Sequence, residues 1–259
     1  MKWNRWPAAA CALAFLAAGV VSAQEPAFME AATQPGANQS YARLLFLFGE
    51  RSDANSAVDE FTARIKLAYG VDANLAALVD ADYQHVRSDP GDESEEGFSL
   101  STLRLKYRLF KRDLGPLNTW RASVLAGADI PGTSDELARD HASPRLGMVT
   151  TAILGRHGLN AQVDWTGRVD DPDLFAVNAS HLYRLAPTEY SAQTAGAWYT
   201  MVESLNEFSD SGDSRTDLAV GILYEARRWA WEASYRLPLA ENWPSEIDYQ
   251  VETGVRYLF

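Results

Sequence analysis

Asp248-Tyr249-Gln250-Val251-Glu252-Thr253-Gly254-Val255-Arg256-Tyr257-Leu258-Phe259 alternates without a break. Tyr249, Val251, Thr253, Val255, Tyr257 and Phe259 share one parity, and Asp248, Gln250, Glu252, Gly254, Arg256 and Leu258 share the other. Successive side chains of a strand point to opposite faces. The stretch therefore reads as a strand with one apolar, aromatic face and one largely polar face. A soluble sandwich strand has the same period, so the pattern alone leaves two classes of β fold open.

Upstream, the same period recurs. Twelve alternating segments are read at about 41–49, 59–70, 75–86, 99–110, 118–130, 144–155, 159–169, 174–185, 190–203, 216–226, 229–239 and 247–259. Segment five places Trp120, Ala122, Val124, Ala126, Ala128 and Ile130 on one face and Arg121, Ser123, Leu125, Gly127 and Asp129 on the other. Segment eleven sets Trp229, Trp231, Ala233, Tyr235 and Leu237 against Ala230, Glu232, Ser234 and Arg236. Segment nine is ambiguous, because Gly196, Trp198 and Tyr199 fit either parity, and the apolar run Leu44–Phe48 leaves segment one without a clear facing. Connections after even segments are mostly tight: Val71–Asn74, Arg156–Gly158, Ala186–Glu189 and the Arg227-Arg228 pair. Those after odd segments tend to be longer and acidic, as in Arg87–Gly97 and Leu205–Arg215; Val169–Asp173 and Lys111–Leu117 are exceptions. An even strand count with short turns on one side and longer loops on the other is the pattern of a single-chain membrane barrel.

The N-terminus fits that pattern. Lys2 and Arg5 precede a small, apolar run from Ala8 to Val21, and Val21-Ser22-Ala23 supplies the small residues of a cleavage site. Residues 1–23 are expected to be a secretory signal peptide, removed near Ala23. Residues 24–40, polar and broken by Pro26, Pro35 and Gly36, are expected to be a disordered periplasmic leader, and residues 41–259 the barrel. Cys11, the single cysteine, lies in the signal, so the mature chain has no disulfide, thiol nucleophile or cysteine metal site. Cleavage removes Lys2 and Arg5 and no acidic residue, taking the formal charge from −12 to −14. That balance disfavours nucleic acid as a partner. No later run approaches the roughly 18 apolar residues of a spanning helix. Helices and closed barrels are the structures that cross a bilayer. The expected fold is thus all-β: a transmembrane, antiparallel, up-and-down β-barrel of about twelve strands in a Gram-negative outer membrane.

Aromatics set its polarity. With segment one rising outward, Tyr69, Tyr107, Trp120, Tyr183, Tyr190, Tyr224, Trp229, Trp231, Tyr257 and Phe259 fall near the periplasmic rim. Phe61, Tyr83, Phe98, Trp165, Phe175, Tyr235 and Tyr249 fall toward the other rim. Two such girdles around an aliphatic band mark membrane–water interfaces. Outer-membrane lipid and lipopolysaccharide are the expected surroundings; the acidic Asp89–Glu96 loop reads first as a solvated loop, and otherwise as a place where divalent cations could gather to bridge lipopolysaccharide. The terminal Phe259 resembles the C-terminal signal read by the barrel-assembly machinery.

The inward parity is charged. Arg64, Lys66, Arg104, Lys106, Arg108, Arg121 and Arg145 form a basic stripe on segments two to six, interrupted by Asp80 and Asp82. Asp217, Glu225, Glu232, Asp248 and Glu252 lie on segments ten to twelve, among Arg227, Arg236 and Arg256. Such a lining could select a small anionic solute of unknown identity in an open pore. The same side chains could pair across a narrow interior and plug it, leaving a structural or surface-interaction barrel. His85, His141, His157 and His181 fall singly, with no spacing that makes a metal site. Ser180 and His181 are adjacent and so face opposite ways. No phosphate loop or nucleophile elbow occurs, so no enzyme, cofactor or metal is expected.

The hairpin Phe61–Tyr69 and Leu75–Tyr83 across the Asp72-Ala73-Asn74 turn, with the closing Asp248–Phe259 strand, resembles the meta-pathway phenol-degradation family of outer-membrane proteins. Its members are regarded as channels for hydrophobic or aromatic compounds, which the resemblance implies here. The basic ladder also looks like the lining of twelve-stranded porins for acidic sugars.

Overall fold

In a computed structural model, the structure describes residues 25–53, 56–89, 93–115, 118–133, 141–191, 193–243 and 246–259. Twelve strands follow one another: β1 (Ser40–Asp53), β2 (Ser56–Gly70), β3 (Leu75–Asp89), β4 (Glu93–Asp113), β5 (Thr119–Pro131), β6 (Ser143–Leu154), β7 (His157–Thr166), β8 (Leu174–Ala186), β9 (Gly196–Ser209), β10 (Ser214–Ala226), β11 (Trp229–Asn242) and β12 (Glu246–Leu258). Each pairs antiparallel with its sequence neighbours, and β1 pairs with β12, so the sheet closes into a barrel with no free edge. The expected signal peptide lies outside the described residues.

Alternation decides which way every side chain faces. On β5, Thr119, Arg121, Ser123, Leu125 and Asp129 are buried inside while Trp120, Ala126 and Ile130 are exposed outside. On β9 the ambiguity resolves with Ala197, Tyr199, Met201, Glu203 and Leu205 inward, which turns Trp198 and Val202 outward. On β1, Tyr41, Arg43, Leu45 and Leu47 face in and Leu44 and Phe48 face out. The outer wall at mid-height is aliphatic, with Leu44, Ile65, Val79, Leu103, Val202, Val220 and Val255 all exposed.

β1 begins and β12 ends at one rim, called here the near end, where Phe259 N–H donates to the Ser40 carbonyl at 2.9 Å. Outward aromatics collect there in contact with one another, Phe110 with Trp120 (centroids 5.1 Å), Trp198 with Tyr224 (4.8 Å), Tyr224 with Trp229 (5.2 Å) and Tyr257 with Phe259 (5.0 Å). Tyr69, Tyr107, Tyr183 and Trp231 also take outward positions on their strands. Tyr190 departs from this belt. It folds under the barrel, its hydroxyl 2.6 Å from that of the buried Tyr199 and its ring 4.2 Å beneath the Arg184 guanidinium.

Two further expectations are corrected. The acidic far-end stretches are not long loops: β3 runs to Asp89 and β4 begins at Glu93, while β9 runs to Ser209 and β10 begins at Ser214. The ladder continues there because backbone pairing needs no apolar face. Nor are residues 25–35 a disordered leader. They run through the barrel interior, all but Phe28 buried.

Candidate functional site: the internal segment and its lumen seat

The segment 25–35 has no regular secondary structure, so its backbone polar groups need other partners. The lumen wall supplies them. Ala27 N–H and Phe28 N–H donate to the two carboxylate oxygens of Glu203 on β9 at 2.6 and 3.2 Å. Glu30 N–H donates to Gln162 Oε1 on β7 at 2.7 Å, and Ala32 N–H to Thr151 Oγ1 on β6 at 2.7 Å. The Pro26 and Ala27 carbonyls accept from Arg43 Nη2 on β1 at 3.1 and 3.2 Å. Ser123 Oγ on β5 donates to the Ala32 carbonyl at 3.3 Å. Through its backbone, one short segment thus bonds to five of the twelve strands.

Charge fixes it further. The Glu30 carboxylate lies 2.8 Å from Lys66 Nζ, 3.1 Å from Arg104 Nη2 and 3.7 Å from Lys106 Nζ. Lys106, almost fully buried, also donates to the Ala31 carbonyl and, at 2.6 Å, to the Thr33 carbonyl. Glu25 pairs with Arg256 on β12, which also meets Glu225 at 3.0 Å. Apolar contact completes the seat: Ala27 is buried in a lumen cluster with Leu182, Tyr199, Met201, Leu223 and Ala230, against which Phe28 packs. The Arg236 guanidinium lies 5.5 Å from the Phe28 ring.

The exit from the seat needs a close approach. A Cβ on Gly70 would lie 2.1 Å from the Gly36 carbonyl oxygen, which backbone cannot tolerate. With no side chain there, Asn38 N–H reaches the Gly70 carbonyl at 2.8 Å and Gly70 N–H reaches the Gln39 carbonyl at 2.9 Å.

The seven basic residues read from the sequence divide by partner. Lys66, Arg104 and Lys106 converge on Glu30, with Arg104 also 2.8 Å from Asp80. Arg64 is held by Asp82, with Nε 2.7 Å from Oδ1. Arg145 lies 3.5 Å from Asp129. Arg108 and Arg121 sit at the near-end mouth, where Arg108 donates to the Ala73 carbonyl at 2.7 Å and Arg121 to Thr119 Oγ1 at 3.2 Å. Five of the seven are therefore ion-paired, and Arg108 and Arg121 at the mouth bond to neutral oxygens. The far half of the lumen is likewise balanced, with Arg236 on Asp217 and Arg215 on both Glu207 (2.5 Å) and Asp217 (3.3 Å).

Sequence reasoning missed Glu25, Glu30, Arg43 and Glu203 as members of one site. Their partners lie up to 231 positions away, and segment 25–35 carries no period to place it. It also missed a histidine pair. Cross-strand register brings His157 Nδ1 to 3.0 Å from His181 Nε2 on the outer wall near the Tyr183 ring. Among the described residues no third metal-ligating side chain joins them.

No family model matches the chain, and no curated protein does. Solved structures do. An outer-membrane channel of Pseudomonas putida F1 is similar over 88% of this chain and 97% of its own, at 11% identity and a TM-score of 0.63. The beta domain of the Bordetella autotransporter BrkA is similar over 84% and 98%, at 14% identity and a TM-score of 0.51. LpxR of Salmonella typhimurium is similar over 85% and 100%, at 9% identity and a TM-score of 0.51. What these proteins share with the chain is the closed antiparallel barrel.

Proposed function

We propose that the chain is an outer-membrane β-barrel channel for small solutes, held closed in this conformation by residues 25–35. The observation that carries this reading is what fills the lumen. Wall side chains of a purely structural barrel could meet and pack across a narrow interior. Here a segment joined to the wall at Ser40 fills the near half instead. A tethered segment can leave without dismantling the sheet. The aliphatic outer wall and the near-end aromatic belt support insertion in a bilayer with the near end periplasmic, and the expected signal peptide supports export to that compartment. The Pseudomonas putida F1 likeness supports a channel. The basic residues beneath the segment favour a small anion, and the resemblance to the meta-pathway phenol-degradation family adds aromatic compounds to the class.

The alternative is a permanently plugged barrel with a structural role. The density of buried ion pairs around Glu25 and Glu30 favours it. Planar-bilayer recordings separate the two. A variant lacking residues 24–35, refolded to a heat-modifiable barrel, is expected to give reproducible conductance steps with anion preference, and the full mature chain fewer or shorter openings. A silent deletion variant rejects the channel and leaves the plugged barrel.

A further inference from the structure

Glu30 sits where a ligand would. Its carboxylate, buried and in the lumen, is ringed by Lys66, Arg104 and Lys106, contributed by two strands of one wall. Without Glu30 the trio would keep one directly bonded carboxylate, Asp80, 2.8 Å from Arg104, with Asp164 acting on Arg104 and Glu25 on Lys106 from farther off. Three cations around one carboxylate exceed what neutralising Glu30 needs. Buried charge without a partner is costly, so in the filled lumen the trio favours an anion at this point. Planar guanidinium and mobile ammonium donors together suit a carboxylate. Two residues before Glu30, Phe28 rests against the apolar patch of Tyr199, Met201 and Leu223. The segment therefore presents the seat with a carboxylate and, a short reach away, an aromatic ring.

We propose that Lys66, Arg104 and Lys106 form a carboxylate-binding site which Glu30 fills as an internal ligand. An organic anion carrying an apolar body competes for it and loosens residues 25–35. The second part rests on solutes entering the lumen, as a channel requires. Because Glu30 is tethered, the competitor works against an effective concentration on the order of millimolar or above. Release is then a response to abundant solute, not to traces.

A thiol at position 32 reads this out without any need for conduction. Ala32 is fully buried in the seat, and the native Cys11 lies upstream of the expected cleavage site. Ala32→Cys in the full mature chain, in liposomes, is labelled with a hydrophilic maleimide. Tens of millimolar benzoate is expected to speed labelling several-fold over chloride at equal ionic strength. Glu30→Gln in the same background is expected to label several-fold faster without benzoate and to gain little from it, whereas Glu30→Asp keeps the benzoate response. Equal effects of chloride and benzoate, or equal rates for the parent and Glu30→Gln, overturn the proposal. Should Glu30→Gln give no heat-modifiable barrel, the benzoate-against-chloride comparison on the parent decides alone. A barrel that never conducts yet labels faster in benzoate rejects the channel and keeps the site. A conducting barrel indifferent to benzoate does the reverse.

Discussion

Arg43 on β1 and Glu232 on β11 close a two-pronged ion pair over Gly254 of the intervening strand β12, Nε to Oε1 and Nη2 to Oε2 both at 2.7 Å. Gly254 makes the span possible, since a Cβ there would sit 2.4 Å from Leu45 Cδ2 and 3.1 Å from Glu232 Oε1. The pair is buried and straddles the seam where the last strand meets the first. It also turns Arg43 toward the Pro26 and Ala27 carbonyls, so one guanidinium serves the seam and the segment together.

Removing one partner of this pair leaves the other charged and buried, which costs about 3–5 kcal/mol. Arg43→Met is therefore expected to lower the urea midpoint of the refolded barrel strongly. Arg43→Met combined with Glu232→Gln is expected to recover part of the loss. Denaturant titration followed by the heat-modifiable gel shift measures both; an additive double variant would deny that the two act as a pair.

Glu203 is fully buried and accepts two backbone N–H groups from the segment. Glu203→Ala strands both donors at about 1–3 kcal/mol each. Glu203→Gln keeps one carbonyl acceptor and is expected to cost less. Hydrogen exchange at Ala27 and Phe28 is the direct readout: protection should fall most in the alanine variant.

Gly70→Ala puts a methyl into the Gly36 carbonyl. The β2–β3 hairpin should survive, since Gly70 lies at its end, while the segment loses its fixed exit. Cleavage after Glu30 by a glutamyl-specific protease, followed by mass spectrometry, is expected to become several-fold faster than in the parent. Unchanged cleavage would mean that the seat holds the segment without help from the exit.

Val220 is exposed on the outer wall halfway along β10, beside Val202 and Tyr235. If that wall faces hydrocarbon, Val220→Arg costs about 2–4 kcal/mol. Substitution at the inward neighbour Gly221 would meet protein instead, including Met201 Cε at 2.8 Å. Folding titrations in liposomes compare the parent with Val220→Arg; a neutral effect would argue that this band contacts water.

The fold was legible because a half-buried strand writes its two environments in alternate letters. Trp120, Ala122 and Val124 against Arg121, Ser123 and Leu125 suffice to place β5. Legibility fades where one of the environments disappears. Beyond the aliphatic band the outward side of β3 and β4 is no longer apolar, so Glu95 and Glu96 look like loop while they belong to a strand. At the start of β9 both faces are aromatic or small, and only the structure separates Trp198 from Tyr199. The seat was illegible for another reason. Its segment satisfies its backbone with Glu203, Gln162 and Thr151, and no local pattern announces partners so far along the chain. The small residues Ala27, Ala31, Ala32 and Thr33, interspersed with Glu25 and Glu30, suit a narrow polar interior, but that composition also describes a linker.

The seating of residues 25–35 also has a consequence in time. Residues 25–35 find Arg256 on β12 and the Arg43–Glu232 bridge across the seam only once β12 has been laid in place beside β1. Until then Glu25 lacks its cation, although Glu30 already has Lys66, Arg104 and Lys106 on β2 and β4. A barrel closed with β12 slipped by one residue against β1 would turn Arg256 to the wrong face and leave Glu25 facing no cation on that strand. Docking of the segment is thus a check on closure: it rewards the correct seam and withholds its stabilisation from a shifted one.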